Sequence, residues 1–255
     1  MLADLTLVQL AVIALTAFGA QILGGLAGYG TGLLMPLVLV PILGAPAVVP
    51  VIGLSAIITN ATRVAAFREA LDLRKVVIVS IAALPFTALS AWGYTLLTGK
   101  GATILIGIML IVLVPARRFF EHLKLTLSER GLAYSSVGYG LIMGGTSGSV
   151  VMLLSMLMAT GLTGTQVIAT DAAISFLLGF IKTGVFAGFG ALDLKLVLVA
   201  LLIGIMATPG TLTAKWMARH FSVRVHTLIL EAGIIVGGSV LIWRALESRI
   251  AVALS

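Results

Sequence analysis

Two polar stripes break the apolar sequence of this chain at places where charge chemistry is available. In the run 46–67, Ser55, Thr59, Asn60, Thr62 and Arg63 intervene, and Ser55, Thr59 and Arg63 fall four residues apart on one helical face. In the run 165–188, Asp171, Ser175 and Lys182 share a face at i, i+4 and i+11, with Thr170 beside them. An ionisable side chain at membrane depth costs about 2.5–3.5 kcal/mol on insertion scales, so it usually faces the interior or a water-filled cavity. Arg63 and Lys182 are therefore candidates for holding an anion, and Asp171 for carrying a proton. A plainer reading stands beside this one. Arg63 and Lys182 lie within about two turns of their helix ends, close enough to snorkel to the interface, and Asp171 stands where a carboxylate favours a helix N-terminus. Asp171 and Lys182 are roughly 16 Å apart along one helix, too far to be each other's ion pair.

Two glycine breaks come next. Gly28, Gly30 and Gly32 are interleaved with Thr31, and Gly144, Gly145 and Gly148 with Thr146, Ser147 and Ser149, each time just before a short apolar run. Hydroxyls and free amides at a half-helix N-terminus form an anion cradle, because exposed N–H groups and the helix dipole both favour negative charge. The alternative is that Gly24, Gly25 and Gly28 are small-residue packing surfaces between helices. The remaining polar residues read as structural. Asp72 and Asp193, in the repeated motif AlaLeuAspLeu, precede new helices as caps. Glu231 reads as a shallow interfacial residue, and Trp92 and Trp216 as belt residues. His122, His220 and His226 share no metal-ligand spacing, so no metal site and no cofactor is expected.

The elements that must position these residues are membrane helices. Of 255 residues, 60% are hydrophobic and 10% charged, with no cysteine, far from the roughly 45–50% apolar composition of a soluble domain. Thiolate catalysis and disulfides are excluded. The +7 charge sits in short loops, which points to membrane orientation and to no nucleic-acid partner. The N-terminus has no basic n-region and reads as the first membrane segment. Apolar segments run 5–23, 31–43, 46–67, 75–97 and 102–116, then 131–146, 149–160, 165–188, 195–214 and 226–243. The expectation is an all-α polytopic membrane protein: one transmembrane domain, 1–255, of two homologous halves, 1–120 and 121–255. Each half holds five segments, giving about eight full-length helices and two short discontinuous or re-entrant ones. The duplication is visible where Ala83, Pro85, Thr87 and Trp92 match Ala207, Pro209, Thr211 and Trp216 at one offset. Charge does not orient the halves. Ten Lys or Arg oppose four whether the short segments cross, making the halves inverted, or turn back, making them parallel.

At these residues the chain resembles the sulfite exporter TauE/SafE family, also called the toluenesulfonate uptake permease family. The resemblance rests on Gly28, Gly30, Gly32 and Pro36, the polar segment after them, the Asp turn that follows, and a second copy of all three. Thr31 departs from a position where the family often has glycine, and the second break reads GlyGlyThrSerGly. The resemblance implies a multi-pass protein of a bacterial-type inner membrane that moves sulfite, sulfoacetate or related sulfonates, commonly outward. The expected substrate-binding set is Gly28, Gly30, Thr31, Gly32, Asn60, Arg63, Gly145, Thr146, Ser147, Gly148, Ser149, Asp171, Ser175 and Lys182. A small anion and the lipid bilayer are the expected partners, with a second copy of the chain as a candidate. The alternatives are a transporter of the same fold for another anion, such as a carboxylate, and an intramembrane enzyme. No nucleophile and base pair stands at workable spacing for the last.

Overall fold

A chain in hydrocarbon must satisfy its backbone polar groups internally, and a sequence this apolar does so by helix formation. The computed structural model describes residues 5–24, 30–122, 126–147, 149–217 and 239, and among these there is no strand. The order is α1 (Leu7–Gly24), α2 (Gly30–Leu43), α3 (Ala45–Phe67), a 3-10 turn (Arg68–Ala70), α4 (Leu73–Thr95), α5 (Gly99–His122), α6 (Glu129–Gly145), α7 (Val150–Ala159), α8 (Thr165–Gly188) and α9 (Leu194–Met217). Segment 226–243 with Glu231, and Gly28 and Gly148 of the two breaks, lie outside the described residues, apart from residue 239. The short segments are helices of 14 and 10 residues. At 1.5 Å per residue both fall well short of a hydrocarbon core about 30 Å thick.

Local chemistry sets the helix ends. Gly44 takes φ 82° between α2 and α3, a left-handed conformation that glycine adopts without strain, and a proline at the start of α3 follows it. Asp72 caps α4 by accepting from the Lys75 amide at 3.0 Å. Asp193 accepts from the Leu196 amide at 2.8 Å, and Ser128 from the Gly131 amide at 3.2 Å. Both aspartates of the repeated motif are thus helix caps. Asp72 sits outside the spans: partial burial raises its carboxyl, but the Lys75 side chain, backbone amide and charge outweigh this and hold it below the usual carboxylate range.

Contacts between helix ends fix the direction of each helix. Tyr94 Oη, near the end of α4, donates to Ala45 O at the start of α3, 2.7 Å away. At the opposite face of the bundle, the Asp72 amide donates to Thr170 Oγ1 near the start of α8 at 3.1 Å. On that same face Arg74 pairs with Glu129 at the start of α6, 2.6 Å apart. The Leu127 amide, just before α6, donates to Ala159 O at the end of α7 at 2.7 Å. So α6 and α7 enter and leave on one face, as a hairpin that turns inside the protein. The pair α1 and α2 does the same from the other face: Leu5 and Ile13 share a core cluster with Ala45, Tyr94 and Ala102, and Thr31 returns to Gln21. As a result α3 and α8, which correspond in order, run in opposite directions. The two hairpins enter from opposite faces.

Two apolar cores flank the middle of the bundle. One joins α1, α2 and the first half of α3 to Tyr94, Ala102 and Val199. The other joins the first half of α4 to α6, α7 and Ile174 and Leu178 of α8. Leu73, Val77, Ile81, Leu84 and Trp92 form an exposed apolar stripe on α4, as a lipid-facing side requires.

Helix α4 lies along α6 and α9 along α1, and both contacts need small residues because lipid supplies no hydrophobic drive between helices. A Cβ on Gly140 would stand 2.5 Å from Ala83 O, and one on Gly144 would collide with Thr87 O. Gly144, read in the sequence as part of a break, is also a packing glycine. Gly210 meets Phe18 O in the same way at 2.7 Å. We expect Gly140→Val to lose most monodisperse protein after detergent extraction. Gly138→Val, where a Cβ meets nothing within 4 Å, should extract like wild type; equal yields of the two would refute the close-contact role.

Candidate functional site

Between the two cores lies a cavity of about 70 Å³, walled by both hairpin turns and by α3 and α8. Gln21, Thr31 and Gly32 come from the first hairpin, and Met143, Thr146, Ser147, Ser149 and Val150 from the second, with Tyr139 on α6 above it. From α3 come Ile52, Gly53, Ala56, Thr59, Asn60 and Arg63, and from α8 Ser175, Gly179 and Lys182. Both sets follow the three- and four-residue spacing of one helical face.

Burial of charge dominates the site. Arg63 is 2% exposed, Lys182 2% and Asp171 0%, so neither cation snorkels. Arg63 Nη2 lies 3.0 Å from Asp171 Oδ2, yet off the hydrogen-bond line, so that Nε, Nη2 and Oδ2 have no hydrogen-bond partner. Arg63 Nη1 donates to Asn60 Oδ1 at 3.1 Å, and Ser175 Oγ to Asp171 Oδ1 at 3.4 Å. Tyr139 Oη is a further buried polar atom without a partner. Lys182 Nζ donates to Thr146 O at 2.5 Å and to Met143 O at 3.0 Å. These are carbonyls at the end of α6, where a cation suits the dipole. Among the described residues no carboxylate comes within salt-bridge distance of Lys182. Two formal positive charges and one negative thus meet around one cavity.

The short helices point the same way. Both α2 and α7 begin at the cavity, and Ser149, at the N-cap of α7, makes no side-chain capping hydrogen bond. Their positive dipole ends add to the field of the two cations. At the first hairpin Gln21 donates to Thr211 Oγ1 at 3.0 Å and accepts from Thr31 Oγ1 at 3.3 Å. A neutral amide therefore ties the α1 turn to α9, whereas the charged Lys182 ties the α6 turn to α8.

A model of the sulfite exporter TauE/SafE family matches residues 13–241 of the chain. The chain belongs to that family. TauE/SafE membership makes it a membrane transporter, in keeping with four long apolar helices among the described residues, Ala45–Ala70 and Thr165–Gly188 being two of them. No curated protein and no solved structure matches it.

Of the residues singled out in the sequence, Thr31, Gly32, Asn60, Arg63, Thr146, Ser147, Ser149, Ser175 and Lys182 wall the cavity. Asp171 does not; it stands behind Arg63. Gly145 is buried at the end of α6 beside the cavity residues, with Ser90 O 3.5 Å from where its Cβ would be. Gly30 opens α2. Ser55, counted on the site face by its spacing, instead donates to Ile52 O at 2.9 Å within its own helix. Sequence reasoning passed over Gln21 and Tyr139. An amide deep in the mostly apolar α1, far from the exposed Gln9 at its start, was the available signal for Gln21. Tyr139 carried none, because the identical side chain at Tyr94 is a structural tie.

Proposed function

We propose that the chain carries small sulfur-containing anions, of the size of sulfite or a short sulfonate, across the membrane as a secondary transporter, and does so outward. The observation that carries this reading is the pair of buried cations at one small cavity, Arg63 and Lys182, of which only Arg63 has a carboxylate beside it. At roughly 10–15 Å³ per water-sized position, about 70 Å³ holds on the order of five such positions. A sulfur with three oxygens fills such a space, and it offers acceptors to Arg63 Nε and Nη2 and to the Tyr139 hydroxyl. Lys182 and the two helix N-termini would balance its charge, as half-helix N-termini do for anionic substrates.

Orientation favours export. Among the described residues, Arg68, Arg74, Lys75, Arg117, Arg118, Arg130 and Lys215 stand at helix ends on one face of the bundle, against Lys100 and Lys195 on the other. The basic face is the cytoplasmic one by the positive-inside rule. A monovalent anion leaving an inside-negative compartment gains about 2.3 kcal/mol per 100 mV, so outward movement proceeds without a coupling ion.

Counterflow in proteoliposomes, with sulfite, short sulfonates, sulfate and carboxylates as competitors and an imposed potential, tests the reading. Competition by sulfur oxyanions supports it. Silence across all of them, or competition by carboxylates alone, overturns the substrate class.

A further inference from the structure

The carboxylate behind the cavity has a consequence for which anions the site accepts, and the argument rests on the anion reading above. Asp171 does not wall the cavity, yet its Oδ2 is 3.0 Å from the guanidinium that does. Oδ2 and two of the Arg63 nitrogens are buried without hydrogen bonds, so the pair is held by charge and not by a locked bidentate geometry. An anion taking Arg63 Nε and Nη2 from the cavity side would share the guanidinium with Asp171. The formal charge presented to it then depends on a proton. With Asp171 ionised, Arg63 and Lys182 leave one net positive charge; with Asp171 protonated, they leave two.

Besides Asp171, one other group at the cavity has a proton that can vary, Lys182, and the variants Asp171→Asn and Lys182→Arg tell the two apart. The remaining groups near Asp171 do not supply that charge. Tyr139 faces it from α6. The Asp72 and Lys75 pair lies behind Thr170 at the start of α4 and balances itself at 2.6 Å. Arg68 and Glu69 of the 3-10 turn are exposed. Helix α7 brings no ionisable group, and on α8 itself only Lys182 is charged within the span. Like charges brought together among buried groups such as these disfavour one another strongly. A divalent anion beside an ionised Asp171 would leave the site net negative, whereas a monovalent one would leave it neutral.

We propose that Asp171 sets the valence of the cargo: a monovalent anion binds with Asp171 ionised, and a divalent anion binds together with one proton on Asp171. One net negative charge is then carried per anion in either case. Asp171 acts through Arg63 and is a positioning residue, not a direct ligand.

Methanesulfonate and thiosulfate are the probes, because they share one shape and differ by one charge. Binding to the full chain in nanodiscs is followed by calorimetry in buffers of different ionisation enthalpy, from pH 8 downward. At pH 8 thiosulfate should take up about one proton per anion and methanesulfonate none. Thiosulfate affinity should fall about tenfold per pH unit as pH rises, the slope that linkage requires for one bound proton. In Asp171→Asn, thiosulfate should bind with neither uptake nor slope, and its charge per anion in proteoliposomes should rise from one to two. Equal proton uptake for both anions, none for thiosulfate, or a slope surviving in Asp171→Asn would each overturn the proposal while leaving anion transport standing. If neither probe bound, the proposal would fall together with the anion reading. If Asp171→Asn does not fold, Lys182→Arg decides the matter, because arginine keeps the charge and does not lose its proton at these pH values. Uptake of one proton with thiosulfate that persists there supports Asp171, and uptake lost there assigns the proton to Lys182 and overturns the proposal.

Discussion

Arg63→Met should leave little folded protein, and adding Asp171→Leu should bring the fold back without bringing back anion binding. Removing one partner of a buried ion pair strands the other charge, at a cost of about 3–5 kcal/mol. That is roughly two to four orders of magnitude in folded population. Asp171, fully buried, has Arg63 as its only salt-bridge partner among the described residues. Replacing both partners by apolar residues of similar volume removes the charge altogether and is often neutral or stabilising by about 1–4 kcal/mol. Monodisperse yield and unfolding midpoint for the wild type, both single variants and the double variant form a cycle. A double variant no more stable than Arg63→Met would show that the two charges do not support each other. A double variant that still bound sulfite or a sulfonate would remove Arg63 from the site.

Lys182→Met separates binding from stability. Removing one member of a buried charge contact costs about 2–5 kcal/mol of binding, so anion affinity should fall between about thirty-fold and several thousand-fold. Stability should move much less, because two effects oppose. The Met143 and Thr146 carbonyls lose their donor, at about 1–3 kcal/mol for each group left unsatisfied. Against that, a buried cation with no carboxylate beside it is gone. The methionine stem can follow the lysine stem along Gly53, whose Cβ position is 3.3 Å from Lys182 Cε. Titration with sulfite-sized anions beside a thermal scan checks both parts; unchanged affinity in a stable variant would show that the lysine serves only to hold the α6 turn.

Much of the candidate site was legible because its residues are expensive where they stand. Arg63, Asp171 and Lys182 in apolar runs could be named from composition alone, and Thr31, Thr146, Ser147 and Ser149 from glycine breaks that precede short helices. Their pairing was not legible. Asp171 and Lys182 share a helix, yet their partners are Arg63 on α3 and two carbonyls on α6. No spacing in the sequence relates positions 63 and 171. Whether Arg63 and Lys182 snorkel or point inward was equally open, since a long stem near a helix end reaches either way.

The sequence by itself determined the class of the protein and its helical character, because a hydrocarbon solvent admits few other solutions for so apolar a chain. It also held the family resemblance that the match over residues 13–241 turns into membership. The path of the chain was decided only in three dimensions. By sequence, the short segments either crossed, with inverted halves, or turned back, with parallel ones. The fold combines a part of each: α1 with α2, and α6 with α7, each form a hairpin in which the short helix turns back without a net crossing, yet the hairpins enter from opposite faces and α3 and α8 run in opposite directions. Two lone short helices could not have shown this. A half-helix is stable at membrane depth only where its neighbours bury the broken backbone, and which neighbours do so is a property of packing across the whole chain.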